Sequence, residues 1–392
     1  MTRYRRNGAV LVIVAVSIMV LIGFAAIVAD VGVMYNARQD LQRTADASAL
    51  AGVSALVGDN MMKVIMGTAD AGTFPAIEQN IIDRSQDIHK RNPFLNGGQV
   101  IAELEDIKYG FINIYSGTSP IETGVPQEDI NAVYVISKKE EGHTNGAMPL
   151  FFAAIFGKHS TNISASAVAA FDTRFERFII DTPGAANLIP FTIHEDAYEQ
   201  EYNYGGDNYA YDDGTVSRSP DGIREIRLYP YPLSGSGYEE GDGNFGVLNV
   251  GTENQGIDAE RVQIENGISG QDLIDEIGTD ELSFENEAGE SITYDMTGSP
   301  GLEASLKDVI EPKIGDIVGF FTHNHVILSG SNATYTVTGL KFGRVMDIKL
   351  TGSPDQKGFY IQPVIYSGGG IKINPERESY GRGEIGRIVL VR

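Results

Sequence analysis

The chain has 392 residues, 42% of them hydrophobic, so it is long enough to form two ordinary domains with real cores. Its formal net charge is −23. An acidic surface repels phosphate backbones, so we do not expect nucleic acid as a partner. The chain contains no cysteine, which excludes disulfides and thiolate chemistry and leaves packing as the source of stability.

An apolar run dominates the N-terminal end. Residues 8–29 carry no charge and are almost entirely hydrophobic, and about 20 such residues can cross a bilayer as a helix. A cleaved signal peptide would have a shorter apolar region of about 7–15 residues. The run is preceded by Arg3, Arg5 and Arg6, and an excess of Arg places the short side in the cytoplasm. We therefore predict a cytoplasmic tail at 1–7, a transmembrane helix at 8–29, and most of the chain outside the cytoplasm.

The same helix is predicted to continue into water over residues 30–57. No proline precedes Pro75, so nothing forces a break, and a helix over 8–57 would be roughly 75 Å long. Residues with helical spacing of three or four are Ala37, Leu41, Ala45, Ser48, Gly52 and Leu56. Small residues lie four apart in the sets Ala45/Ala49, Ala47/Ala51/Ala55 and Ser48/Gly52. Small faces allow close packing, either on the chain's own ectodomain, which we favour, or on partner subunits.

Four segments of this helix resemble the N-terminal motif of the TadE/TadG-like proteins of the bacterial tight-adherence (Tad, or Flp) pilus machinery: GAVLV from Gly8, GFAA from Gly23, DVGVMY from Asp30 and LQRTADASALAG from Leu41. Further segments similar to that family are 131–135, 149–157, 163–170, 188–191 and 243–246. The residues that the resemblance assigns to helix packing and assembly are Asp30, Gly32, Leu41, Ala45, Asp46, Ala49 and Gly52.

The resemblance implies a non-enzymatic component of a Tad pilus assembly or secretion system. It implies an anchor in the bacterial inner membrane, a bulk that is periplasmic or extracytoplasmic, and other pilus-assembly proteins as partners, with homo- or hetero-oligomers formed through the helix. Two family features are missing. Ile13 stands where pilins of this system carry a Glu after the cleaved Gly, and the Asp-x-Ser-x-Ser metal motif of some longer members does not occur. Neither peptidase processing at Gly8 nor metal-dependent adhesion is therefore implied, and we expect no cofactor.

Beyond the helix, we predict an α+β fold with two regions. Residues 58–172 form a small pilin-like α+β region, with a helix at 73–88 whose apolar face carries Ile77, Ile81 and Ile88. Its predicted strands are 109–115, 131–137 and 163–171, while 150–156 fits a helix or a strand.

Residues 173–392 are predicted as a β-rich domain, a sandwich or a barrel, with one or two short helices. Residues 175–180 are a bridging strand, and 197–243 are interpreted as acidic, Tyr- and Gly-rich surface loops. The remaining strands are expected at 245–250, 291–296, 333–340, 344–351, 358–366, 371–374 and 388–392. Short helices are expected at 271–277 and 302–310, the latter with Ser299–Pro300 as its start signal.

Two motifs suggest nucleotide or zinc chemistry, and each has a plainer interpretation. Residues 241–246 satisfy G-x-G-x-x-G, but a loop precedes them and a strand follows, so we interpret them as a turn. His194 and Glu195 begin a zinc-protease motif, but Tyr198 occupies the place of the second His.

Two further groups are weak candidates for metal or surface binding. His323 and His325 would share one face of a strand and could hold a metal with a third ligand, or could be surface residues, and we claim no metal there. The acidic segments 199–213 and 239–242 lack the alternating carboxylates of a calcium loop, so a solvated face is expected. The tyrosines nearby would form a binding surface or anchor a loop: Tyr198, Tyr202, Tyr204, Tyr209 and Tyr211.

These observations favour a non-enzymatic pilus-assembly component. The first alternative is a membrane-tethered adhesin or a cation- or glycan-binding module. The second is a metal-assisted hydrolase that uses His323 and His325.

Overall fold

The computed structural model describes residues 4–95, 97–115, 121–229, 244–251, 257–286, 289–329, 332–352, 357–377 and 383–391. It confirms the α+β class, with a long apolar N-terminal helix followed by a β-rich region that has few helices. The first elements are α1 (Tyr4–Val53), α2 (Asp59–Ile65), α3 (Thr73–Arg91), β1 (Ile107–Gly110), β2 (Ala132–Lys139), β3 (Met148–Pro149), β4 (Ser160–Thr161) and β5 (Ile163–Asp172). The later ones are β6 (Phe175–Ile179), β7 (Asn187–His194), α4 (Glu195–Tyr204), β8 (Ala210–Asp212), β9 (Thr215–Ser217), β10 (Ile226–Tyr229), β11 (Phe245–Leu248), α5 (Ile257–Asn266), α6 (Gly270–Ile277), β12 (Glu281–Leu282), β13 (Tyr294–Pro300), α7 (Lys307–Ile310), β14 (Ile317–Ser329), β15 (Asn332–Lys349), β16 (Gly358–Pro363), β17 (Ile371–Ile373) and β18 (Arg387–Val391).

The first layer is a four-stranded antiparallel sheet with helices on one face. Its strand order is β1-β2-β5-β18, and α1 packs on β5, β2 and α3. Strand β5 alternates, and its buried face towards the helix carries Ala165, Ala167 and Ala169. Because these side chains are as small as those of α1, the helix backbone can lie close to the sheet. The last strand, β18, belongs to this sheet although it lies at the other end of the chain.

The C-terminal region is built around a ring of strands. The pairings β15–β13, β13–β11, β11–β7, β7–β14 and β14–β15 return to their starting strand, so five strands close on themselves as in a barrel. The long strand β15 extends beyond the ring and pairs with β16, which pairs in turn with β10. A small sheet, β12-β6-β17, lies beside the ring, and buried Phe178 and Tyr335 belong to the same core cluster.

Three predictions about the C-terminal region are wrong. The strands predicted at 333–340 and 344–351 are one strand, β15, which continues without a break through 341–343. A Cβ at Gly343 would clash with the Ile361 side chain of β16, so this glycine allows two strands to approach closely. The predicted helix at 302–310 is α-helical only in α7, and Pro300 of its expected start signal ends β13.

The third wrong prediction concerns 197–243, which is not loop throughout. The segment contains most of α4 together with β8, β9 and β10, while 230–243 lie outside the described residues. His194 caps α4 by accepting a hydrogen bond from the Asp196 N–H (3.2 Å), and Ala197 and Tyr198 are buried beneath the helix. Burial of one helix face therefore overrides a composition that is typical of loops.

Candidate functional site: the N-terminal helix

Helix α1 has two halves with opposite surroundings. Among the residues whose side chains are described, 10–25 are exposed or half-buried although nearly all are apolar. In the part of the chain that the structure describes, α1 is the helix long and apolar enough to cross a membrane. From Ala37 onward, the same helix buries one residue in every turn.

The buried stripe of the second half is regular. Five residues spaced by four are fully buried: Ala37, Leu41, Ala45, Ala49 and Val53. Their neighbours Thr44, Ser48 and Gly52 widen the stripe. Spacings of three and four keep side chains on one face of a helix, and this face covers β5, β2 and α3. The intramolecular packing that the small residues suggested is therefore present.

Gly52 lies where three elements meet most closely. A Cβ at this position would clash with Ser85 Oγ on α3 and would lie 2.9 Å from Val133 Cγ1 on β2. Real Cβ atoms essentially never approach that closely, so this contact requires glycine. Gly32 differs, because it is exposed and an added Cβ would meet nothing within 4 Å.

Asp30 joins the end of the apolar half to a distant segment. Its Oδ1 accepts a hydrogen bond from the Phe151 N–H (3.0 Å), and its Oδ2 accepts from Phe152 N–H (3.0 Å) and Ala153 N–H (2.7 Å). Asp30 as a whole is 5% exposed. Hydrogen bonds from backbone N–H groups to a carboxylate are among the stronger ones in proteins, so Asp30 fixes a loop against the helix.

The remaining predicted residue, Asp46, is half-buried. It accepts a hydrogen bond from Gln42 Nε2 (2.8 Å), and the same nitrogen donates to the Ser166 carbonyl of β5 (3.0 Å). Five of the seven residues assigned to packing and assembly are buried against the rest of the chain: Asp30, Leu41, Ala45, Ala49 and Gly52. Asp46 lies at the edge of this buried surface, and Gly32 lies outside it.

Sequence reasoning missed the residues that receive the helix. Ser85 belongs to no recognisable motif, and Val133 belongs to the family-like segment 131–135, which gives no sign of its contact. Only the fold brings the two residues to Gly52. The segment that binds Asp30 did carry a signal, the apolar run at 149–157, but its partner lies more than 120 positions away.

A buried polar cluster lies where α3 meets the sheet. Asp106 contacts Lys138 Nζ (2.6 Å) and His143 Nε2 (3.0 Å), and His89 Nε2 lies 3.2 Å from Ser137 Oγ. Burial lowers the pKa of His89 to about 4, although nearby Asp106 acts in the opposite direction. The buried face of α3 carries Ile77, Ile81 and His89, whereas Ile88, which was predicted for that face, is half-buried.

The two histidines of β14 do not share a face, so that prediction is wrong. His323 is fully buried and its Nδ1 lies 2.8 Å from Thr192 Oγ1, whereas His325 is exposed. The register of β14 against β15 shifts between them, with His323 opposite Val337 and His325 opposite Thr336. A bulge at this point reverses the alternation on which the metal hypothesis depended. Among the described residues, no group of three or more His, Asp or Glu side chains is placed to hold a metal ion.

Most of the tyrosines anchor their segments rather than form an exposed surface. Tyr198 is buried and stacks on Tyr202 at 6.0 Å between ring centroids. Tyr209 donates a hydrogen bond to Asp347 Oδ2 (2.6 Å), and Arg344 lies 3.4 Å from the ring centre of Tyr211. Only Tyr204 of this group is largely exposed.

These features define a class of protein in which one N-terminal helix is apolar over a membrane-length half and docks its other half on its own α+β domain. Residues 8–55 match the Tad family model, described as TadE/G-like Flp pilus-assembly. The match covers α1 almost from end to end and confirms the resemblance over that segment. No significant match was found among curated proteins or solved structures.

Proposed function

We propose that this chain is a non-enzymatic, single-pass membrane component of a bacterial Tad/Flp pilus assembly or secretion system. The observation that carries the proposal is the coincidence of the family match with α1. The family supports a pilus-assembly role, and the helix it matches is one that fits a membrane-anchored protein. We further propose that residues 8–29 lie in the inner membrane, with the Arg-bearing N-terminus in the cytoplasm.

In this proposal, α1 works as a rigid rod. Fifty helical residues span about 75 Å. Because the second half is docked along its length and Asp30 adds a lateral tie, the orientation of the extracytoplasmic region relative to the membrane is fixed. A chain built in this way can present a defined surface to other pilus components.

A face of α1 beside the docked stripe is available to partners. Its exposed residues at spacings of three and four are Val31, Tyr35 and Arg38. We propose that other pilus-assembly proteins, or further copies of this chain, pack on this face. Gly32 lies beside it, and the space around Gly32 that the described residues leave open supports a role between subunits rather than within one.

Deletion of the gene in its native bacterium tests the role. We expect loss of pili from the sheared surface fraction, and restoration by the wild-type chain supplied in trans. A matched variant with Arg substitutions at Val31 and Tyr35 should be stably produced yet restore piliation poorly, because it alters only the exposed face. Normal pili in the deletion strain would contradict the proposed function.

A further inference from the structure

A second apolar surface lies next to the end of the membrane-length half of α1. Strands β3 and β4 pair through Met148–Thr161 and Pro149–Ser160 and form the base of a hairpin. The tip of this hairpin, residues 151–156, has the sequence FFAAIF. Its large side chains are 42–77% exposed: Phe151, Phe152, Ile155 and Phe156. Elsewhere beyond α1, exposed large apolar side chains of the described residues occur along the chain singly or in pairs.

The 151–156 tip is held at one position along the helix axis. Its first three N–H groups bind the Asp30 carboxylate, and Asp30 directly follows the apolar run that ends at Ala29. The 3₁₀ turn Ala153–Phe156 contacts α1. Among the helix residues whose side chains are described, from Val10 onward, Ala26 is the first that is buried, at 7% exposure, although Ala25 and Ala29 are exposed. The covered part of α1 therefore begins about 6 Å inside the apolar run, one helical turn before Asp30.

The backbone of the tip suits a non-aqueous environment. A polar backbone group placed in lipid must find its partner within the protein. Asp30 satisfies the first three N–H groups, and Ile155 N–H donates to the Phe152 carbonyl (3.1 Å). The turn closes with Gly157 N–H on the Ala154 carbonyl (3.0 Å) and Lys158 N–H on the Ala153 carbonyl (3.1 Å). Gly157 adopts a positive φ of 83°, a conformation that glycine allows without strain.

We propose that the 151–156 tip inserts into the headgroup–acyl boundary of the same bilayer that α1 spans, as a second membrane contact that does not cross it. The proposal rests on the anchor described above. Phe and large aliphatic side chains are typical of the apolar face of segments that lie in this boundary, and such segments reach about 5–10 Å below the headgroups. Lys158, exposed at the end of the tip, is placed to meet lipid phosphates. We propose lipid, rather than a protein, as the partner of the tip because the apolar tip continues the apolar surface of α1 without a polar break.

The chain contains no tryptophan, so a single introduced Trp reports its own surroundings. Three full-length variants, Ile155→Trp, Phe24→Trp and Tyr204→Trp, are reconstituted in phosphatidylcholine–phosphatidylglycerol vesicles with and without bromine on the acyl chains. Far-UV circular dichroism first establishes that each variant retains the wild-type fold. We expect blue-shifted, bromine-quenched emission from Ile155→Trp and Phe24→Trp, and unshifted, unquenched emission from Tyr204→Trp.

Each other outcome has one meaning. If Phe24→Trp is quenched and Ile155→Trp is not, the tip lies outside the lipid and the inference is wrong while the anchor stands. If Ile155→Trp is blue-shifted but unquenched, protein covers the tip, in this preparation a second copy of the chain, and the inference is again overturned. If Phe24→Trp is not quenched, the anchor itself fails, and the inference fails with it.

Discussion

The same substitution at two glycines of α1 should change stability in opposite directions. Gly→Ala inside a helix gains up to about 1 kcal/mol, because glycine loses more backbone freedom on folding. At Gly32 nothing opposes this gain, since an added Cβ meets no atom within 4 Å. At Gly52 the methyl group would clash with Ser85 Oγ and lie 2.9 Å from Val133 Cγ1. Overpacking of this kind costs about 1–3 kcal/mol, so the net effect of Gly52→Ala is a loss of up to about 2 kcal/mol.

Urea unfolding of the full chain in detergent micelles, followed by circular dichroism, measures both changes. Ser85→Ala provides the control for mechanism, because it removes the nearest clashing atom. Ser85 Oγ is buried and has no hydrogen-bond partner among the described residues, so this change alone should be nearly neutral. The double variant Gly52→Ala/Ser85→Ala should recover part of the loss, because residues in contact are energetically coupled and the Val133 contact remains. Equal effects of the two glycine substitutions would refute the close packing inferred at Gly52.

Three further outcomes are expected. Below its ordinary pKa of 6.5, His89 is protonated more readily in the unfolded chain than in the folded one, so the free energy of unfolding should fall by about 3 kcal/mol as pH drops from about 6.5 to about 4. His89→Gln should flatten that part of a plot of the urea midpoint against pH. An unchanged slope would contradict the lowered pKa of His89. Asp30→Ala should speed chymotryptic cleavage at the 151–156 tip in detergent, whereas Asp46→Ala should not; equal cleavage would show that the carboxylate does not hold the loop. His323→Ala should lower the free energy of unfolding by about 2 kcal/mol because it leaves a cavity at a buried position. His325→Ala should change the free energy of unfolding by less than about 0.5 kcal/mol. A loss of bound metal in either variant would support the metal hypothesis again.

The features of α1 could be predicted because they are local. An uncharged run of 22 residues and a repeat of three and four are properties of consecutive residues, and neither depends on what the helix touches. The structure adds the partner surfaces, and these depend on residues far away in the chain. Ser85 and Phe151 contribute to the site only because the fold brings them to Gly52 and Asp30.

Two of the wrong predictions have a common physical cause. Whether Gly343 turns the chain or lies inside a strand depends on β16, which approaches too closely for any side chain there. Whether His323 and His325 share a face depends on a register shift against β15. Sequence patterns report what a residue favours alone, whereas bulges and close strand contacts are decided by the neighbouring strand.

In the proposed arrangement α1 lies first in lipid and then on its own domain, and cysteine accessibility along α1 tests both halves together. The chain has no cysteine, so single cysteines at Val16, Leu41, Arg43 and Ala49 can be labelled with a membrane-impermeant maleimide in native membranes. Arg43→Cys, which lies outside the proposed partner face, should react from the extracytoplasmic side, whereas Val16→Cys, Leu41→Cys and Ala49→Cys should react only after the membrane is dissolved and the protein is denatured. Reaction at Val16→Cys in intact membranes would contradict the membrane span, and reaction at Leu41→Cys and Ala49→Cys in the folded protein would contradict the docked half.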